Sequence, residues 1–182
     1  CYNGKYLNDY VSEFFENNNF RMNDCQKYAI ENKEKNMIII ASTGIGKTET
    51  ALLWADGEKL FYTLPLKVSI NAMHERLAQN YSYDKNKVIL LHSSALEELI
   101  DKSGDDFTTA MIKYDAARKF SYPVAICTID QLFTFVYKYH GCEQYLATLK
   151  YSRLVIDEIQ SYDPKTIAKI IYGLKLINLA GG

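Results

Sequence analysis

Hydrophobic and polar positions follow two rhythms along this chain. Short apolar runs rich in β-branched and aromatic residues occur at Asn36–Ala41, Lys59–Thr63, Lys87–His92, Pro123–Thr128 and Arg153–Asp157. They are continuous rather than alternating, which predicts strands covered on both faces. Between them, three-four spacing predicts helices. Thr48, Ala51, Leu52 and Ala55 make one stripe, and Ile70, Met73, Leu77 and Tyr81 a second. Ile129, Leu132, Phe133, Val136 and Tyr137 make a third, and Ile167, Ile170, Ile171, Leu174 and Ile177 a fourth. All four are expected to face a core. Two further helices are expected over Met22–Lys33 and Asp105–Phe120, with a polar break at Ser103, Gly104, Asp105 and Asp106. Residues 94–121 read as an insertion whose role is not legible. Alternating strands and helices predict an α/β fold, with a mostly parallel sheet and helices on both faces.

Composition narrows the choice of chemistry. A chain of 182 residues with 48% hydrophobic and 24% charged residues is globular in character and long enough to bury roughly 70% of its unfolded surface. Twenty-one Lys and Arg against 22 Asp and Glu give a net charge of −1. That excludes nucleic-acid binding by bulk positive charge and leaves room for a local basic groove. Apolar runs such as Met37–Ala41 and Val88–Leu91 fall far short of the about 20 residues a membrane span needs. The first twenty residues have no secretion-signal pattern. Starting on Cys1 suggests a piece of a longer protein. The four cysteines include no Cys-x-x-Cys pair. Cys127 lies in an apolar run, which predicts a buried free thiol, and a reduced intracellular setting is expected.

The sharpest chemical signal is Ala41-Ser42-Thr43-Gly44-Ile45-Gly46-Lys47-Thr48, placed between an apolar run and a helix-spaced one. This is a Walker A pattern with Ala41 in place of the usual first glycine. Gly44 and Gly46 let the backbone wrap so that successive N–H groups point at phosphate oxygens. The helix that follows adds the positive end of its dipole. Lys47 supplies a compact cation to β- and γ-phosphates, and the Thr48 hydroxyl can bind Mg²⁺. The run Leu154-Val155-Ile156-Asp157-Glu158 is a strand ending in two acids. Ligands of α/β sheets bind beyond the carboxyl ends of strands. Asp157 is therefore expected to hold Mg²⁺, and Glu158 to orient the attacking water. An Asp-Glu pair suits hydrolysis better than phosphate transfer to an acceptor.

Ala41–Glu49 together with Val155-Ile156-Asp157-Glu158-Ile159-Gln160-Ser161-Tyr162-Asp163-Pro164 resembles motifs I and II of superfamily 2 helicases. The longer second segment is similar to the helicase–nuclease of type I CRISPR interference. Other segments follow that family in order. Phe20–Gln26 resembles the adenine-reading Q motif, which implies Gln26 on the adenine edge. Thr63–Ser69 stands where motif Ia would, and Leu90–Ser94 and Thr128–Leu132 where the family touches the nucleic-acid backbone. The resemblance implies a nucleotide-binding set of Gln26, Thr43, Gly44, Ile45, Gly46, Lys47, Thr48 and Glu49. Lys47 and Glu158 would be catalytic, and Thr48 and Asp157 would hold the metal. Pro65, Lys67, Ser93 and Thr128 would meet nucleic acid. Pro65 also fits an ordinary strand-to-helix turn, Lys67 a solvated charge and His92 a structural residue.

These readings combine into one expectation. The chain is a RecA-like P-loop NTPase domain, residues 36–182, preceded by a helical segment, residues 1–35, that carries the Q motif. It would be the first of two such domains in a cytoplasmic, ATP- and Mg²⁺-dependent single-stranded DNA translocase or helicase. The implied partners are DNA, a second RecA-like domain and a nuclease domain of the same parent protein, and the Cascade complex; no membrane is involved. Neither a His-Asp nuclease signature nor a Ser/Thr-Ala-Thr segment after the acid pair occurs here. The fragment alone is therefore expected to turn over ATP poorly. A superfamily 2 motor outside CRISPR, a restriction translocase or an RNA helicase, would share the same ATP chemistry. A nucleotide-switched binding module would lack productive hydrolysis.

Overall fold

The computed structural model describes residues 5–92, 107–138 and 141–182. Four of the five expected strands form one parallel sheet: β1 (Lys59–Thr63), β2 (Val88–Leu91), β3 (Val124–Cys127) and β4 (Ser152–Ile156), in the order β2-β3-β1-β4. Thr63 lies opposite both Cys127 and Ile156, so β1, β3 and β4 end level with one another. The all-parallel ladder accounts for the continuous apolar runs, since three of the strands are largely buried. β4 has a neighbour on one side only among the described residues, and all five of its residues are half-buried.

The fifth expected strand, Asn36–Ala41, does not form. Residues 36–42 have no regular secondary structure, and Ile38 and Ile40 are 92% and 95% exposed. An apolar β-branched run favours extended backbone. A strand exists only when its N–H and C=O groups find a ladder, and this run pairs with none of the four strands described.

The helices are α1 (Leu7–Asn17), α2 (Asp24–Glu31), α3 (Lys47–Trp54), α4 (Lys67–Tyr81), α5 (Phe107–Arg118), α6 (Ile129–Leu132), α7 (Glu143–Leu149) and α8 (Pro164–Leu179). The expected helix over Met22–Lys33 appears as α2 and that over Asp105–Phe120 as α5. Short α7 was not foreseen. Two helical stripes need correction. Tyr137 is 71% exposed, because the α-helix ends at Leu132 and continues as a 3₁₀ turn, Phe133–Tyr137, whose tighter winding breaks the three-four spacing. In α8, Ile171 and Leu174 are exposed, while Ile170, Gly173 and Ile177 are buried. Gly173 sets that face: a Cβ there would lie 2.4 Å from the Phe133 ring. The missing side chain lets the helix come closest along the glycine side.

The chain divides into two compact units, Cys1–Glu58 with Arg76–Tyr83, and Lys59–Glu75 with Asp84–Gly182. In the first, α3 packs against α1 and α2. Val11, Leu52 and Leu77 are buried there, and Phe14 meets Tyr81 edge to face with ring centroids 5.1 Å apart. The Trp54 indole donates to the Lys35 carbonyl at 3.2 Å, tying the start of the irregular segment to α3. In the second unit the sheet packs on Ile129, Leu132, Phe133, Ile170 and Ile177, with Phe61, Phe120 and Tyr145 in successive edge-to-face contact. Cys127 is buried as a free thiol, and burial pushes its pKa up. Among the described residues, no helix is long and apolar enough to cross a membrane.

Candidate nucleotide site

The phosphate loop belongs to the first unit. Gly44 and Gly46 have φ of +84° and +89°, the left-handed region that favours glycine. At Gly44 the need is conformational alone, because a Cβ would meet open space. At Gly46 it is also steric, since a Cβ would lie 2.6 Å from Gln26 Nε2. Gly46 is the N-cap of α3 and supplies no capping side chain, so donors of the first helical turn remain available to an anion. Thr43 and Ile45 are exposed, and Lys47 and Thr48 are half-buried. The Lys47 ammonium donates to the Ala41 carbonyl at 3.1 Å, spanning the loop.

A polar network holds this loop. Asn23 caps α2 in a reciprocal box with Gln26: the Gln26 N–H donates to Asn23 Oδ1 at 2.9 Å, and the Asn23 N–H donates to Gln26 Oε1 at 3.0 Å. The Asn23 amide also donates to the Ile45 carbonyl at 2.7 Å. Gln26 is 3% exposed, with its amide against Gly46. Glu49, whose side chain is 10% exposed, is ion-paired with Arg76 and accepts from the Tyr81 hydroxyl at 2.5 Å. Arg76 Nη1 donates to the Thr48 hydroxyl at 3.2 Å. Burial, then the hydrogen bond to Glu49, raises the Tyr81 pKa. For Arg76, burial alone would lower the pKa, and the charges of Tyr81 and Glu49 more than offset it.

The acid pair lies in the second unit, just past the end of β4. The Asp157 N–H donates to the Thr63 carbonyl at 3.1 Å, extending the ladder by one bond. The Tyr62 hydroxyl donates to Asp157 Oδ2 at 2.7 Å, and the Glu158 N–H to Asp157 Oδ1 at 2.9 Å. Glu158 takes a left-handed backbone, φ +51° and ψ +41°. That costs a non-glycine residue about 1–2 kcal/mol, and the two carboxylates have different partners. The Glu158 carboxylate accepts from the Gln160 side chain, and its carbonyl from the Ser161 N–H at 2.8 Å. Asp163 then caps α8, accepting from the N–H groups of Lys165 at 2.9 Å and Thr166 at 3.2 Å.

The expected nucleic-acid residues are spread over the second unit. Pro65 is half-buried after β1, and exposed Lys67 opens α4. Thr128 is the N-cap of α6, but its hydroxyl does not cap the helix; its N–H donates to the Leu91 carbonyl at 3.1 Å. Ser93 lies outside the described residues.

The sequence pattern of the DEAD/DEAH box helicase family matches residues 23–178. The chain belongs to that family. It is 34% identical over 155 residues to the CRISPR-associated nuclease/helicase Cas3 of Methanothermobacter thermautotrophicus, covering 81% of this chain and 18% of that protein. It is 28% identical over 158 residues to the putative CRISPR-associated nuclease/helicase Cas3 of Methanocaldococcus jannaschii, covering 80% of this chain and 21% of that protein. The chain thus spans about a fifth of the length of these relatives. No solved structure matches it.

A DEAD/DEAH helicase domain implies a bound nucleotide, and the residues fit one. Gly44 leaves open space where a Cβ would stand, the helix start is uncapped by Gly46, and the Lys47 ammonium lies across the loop on the Ala41 carbonyl. Among the described residues no three His, Cys, Asp or Glu side chains gather to hold a metal. The Thr48 hydroxyl and the Asp157 carboxylate are each oxygen donors of the kind Mg²⁺ takes. Sequence reading missed four residues that organise this helicase domain. Asn23 was recoverable from its spacing to Gln26. Nothing in sequence marked Arg76, Tyr81 or Tyr62, whose roles arise from contacts 27, 32 and 95 residues away along the chain.

Proposed function

We propose that this chain is the first RecA-like domain of an ATP-dependent single-stranded DNA translocase that acts in type I CRISPR interference. The observation that carries the reading is the phosphate loop itself: two left-handed glycines, followed at once by an uncapped helix start bearing Lys47 and Thr48. The names of the two relatives support the CRISPR setting. On this reading residues 36–182 form the ATP-binding domain, and residues 1–35 carry Gln26 to the adenine. Thr43, Gly44, Ile45, Gly46 and Glu49 complete the nucleotide set.

Thr48 and Asp157 would hold Mg²⁺, and the ion would supply positive charge to the phosphates of the nucleotide. The backbone donors from Gly44 onward bind the phosphates, and Lys47 adds a point charge. Glu158 orients water for in-line attack and takes its proton. Pro65, Lys67, Ser93 and Thr128 meet the DNA backbone, where contacts ignore sequence as a motor requires. The partners are a second RecA-like domain and a nuclease domain of the parent protein, and Cascade, in the cytoplasm.

The test is made in the full-length protein, with DNA-stimulated ATP turnover and nucleotide binding measured side by side. Glu158→Gln is expected to keep ATP binding and lose about 10²–10⁴-fold in turnover. Lys47→Ala is expected to weaken binding itself. Undiminished turnover in Glu158→Gln would remove the hydrolytic reading, and equal stimulation by RNA would move the substrate away from DNA.

A further inference from the structure

Asp157 is held at both oxygens. One bond is local, from the backbone of the next residue, Glu158. The other comes from Tyr62, which lies opposite Val155 in the β1–β4 ladder and so stands two residues short of Asp157. Tyr62 is 1% exposed, among the most deeply buried large side chains described. A buried phenol is an expensive way to fill space that a phenylalanine ring would fill as well, unless its hydroxyl has a partner. Here the hydroxyl reaches past the end of the sheet to a half-buried carboxylate at 2.7 Å. A carboxylate with only its own backbone bond would keep freedom about its terminal torsion. With Oδ2 tied to a ring that the core fixes, the plane of the Asp157 carboxylate is set, and each oxygen keeps lone-pair capacity for a further ligand.

We infer that Tyr62 is a positioning residue for the metal. It sets the plane of the Asp157 carboxylate that would take Mg²⁺, and does so from the neighbouring strand. The inference rests on the reading of Asp157 as a metal-holding residue. Groups that bond a metal's ligands typically contribute 10–100-fold in metal affinity or activity. Losing the Tyr62 hydroxyl is expected to fall within that range.

The experiment uses the full-length protein with a non-hydrolysable ATP analogue. Mn²⁺ binding is followed by the spectrum of the free ion, analogue binding is measured without metal, and amide exchange is read in β1 and β4. Tyr62→Phe is expected to weaken Mn²⁺ binding about tenfold or more. Metal-free analogue binding and strand protection should stay within about twofold. Wild-type Mn²⁺ affinity in Tyr62→Phe, where Asp157→Asn weakens it, would overturn the inference alone. So would a loss of Mn²⁺ affinity accompanied by equal losses in metal-free binding and strand protection, which a packing role would produce. Wild-type Mn²⁺ affinity in Asp157→Asn would overturn the metal-holding reading, and the inference with it.

Discussion

Around the phosphate loop, side chains fix the backbone: Asn23 holds the Ile45 carbonyl, and Arg76 and Tyr81 hold Glu49, the third residue of α3. Past the end of β4, the sheet fixes the backbone: Asp157 continues the ladder through the Thr63 carbonyl, and Glu158 then turns the chain in a left-handed conformation. The segment entering the phosphate loop has no ladder of its own, with Ile38 and Ile40 almost fully exposed. The strand leading to Asp157 is paired along its whole length with β1. A polar network is therefore the main support of the phosphate loop and a sheet that of the acid pair. The backbone of the first should loosen on single polar deletions, and the backbone of the second should keep its protection.

The largest effect is expected from Arg76→Ala. It strips a buried carboxylate of its cation and removes the donor to Thr48. Breaking a fully buried pair costs about 3–5 kcal/mol. Arg76 keeps 38% of its side-chain surface exposed, so about 2–3 kcal/mol is expected, read as faster amide exchange in α3 with β4 unchanged. Equal loss of protection in β4 would break the contrast between the phosphate loop and the acid pair.

Gly46→Ala comes next. The left-handed backbone costs an alanine about 1–2 kcal/mol, and its Cβ would press on Gln26, whose other amide atom is committed to the Asn23 box. Nucleotide binding and α2 protection should fall together. Normal binding in this variant would mean that the loop tolerates a side chain in its mouth.

The smallest effect is expected past the sheet. Asp163→Ala removes the α8 cap and should loosen only the first turn of α8. Exchange in β4 should not change, because the ladder and not the cap supports that strand. A drop in β4 protection would show that the turn through Glu158 depends on the helix after it.

Much of this was legible in the sequence. Residue type and local spacing carried the phosphate loop, because glycine is required by its left-handed φ and the lysine and threonine follow at fixed positions on one helical turn. Four strands were legible as continuous apolar runs. Local rules failed where a distant contact decided the outcome. Asn36–Ala41 has strand-forming residues, but its ladder partner is not a property of the run. In α8 the apolar stripe held at Ile170 and Ile177 and failed at Ile171 and Leu174, because the close approach of Phe133 to Gly173 rotates the buried face toward the glycine. Glu49 reads as an extension of the phosphate motif; its carboxylate is engaged by Arg76 and Tyr81, which no spacing rule connects to it.

By itself the sequence determined the chemistry available to this protein: which backbone turns are affordable, where a cation, a hydroxyl and two acids stand along the chain, and which segments can be buried. Those are properties of single residues and their near neighbours. The tertiary structure alone decided which groups are held and by what, including the tyrosine that fixes Asp157 from the next strand and the arginine that bridges Thr48 and Glu49. Such bonds join residues dozens of positions apart, and their partners are selected by packing and burial of the whole chain.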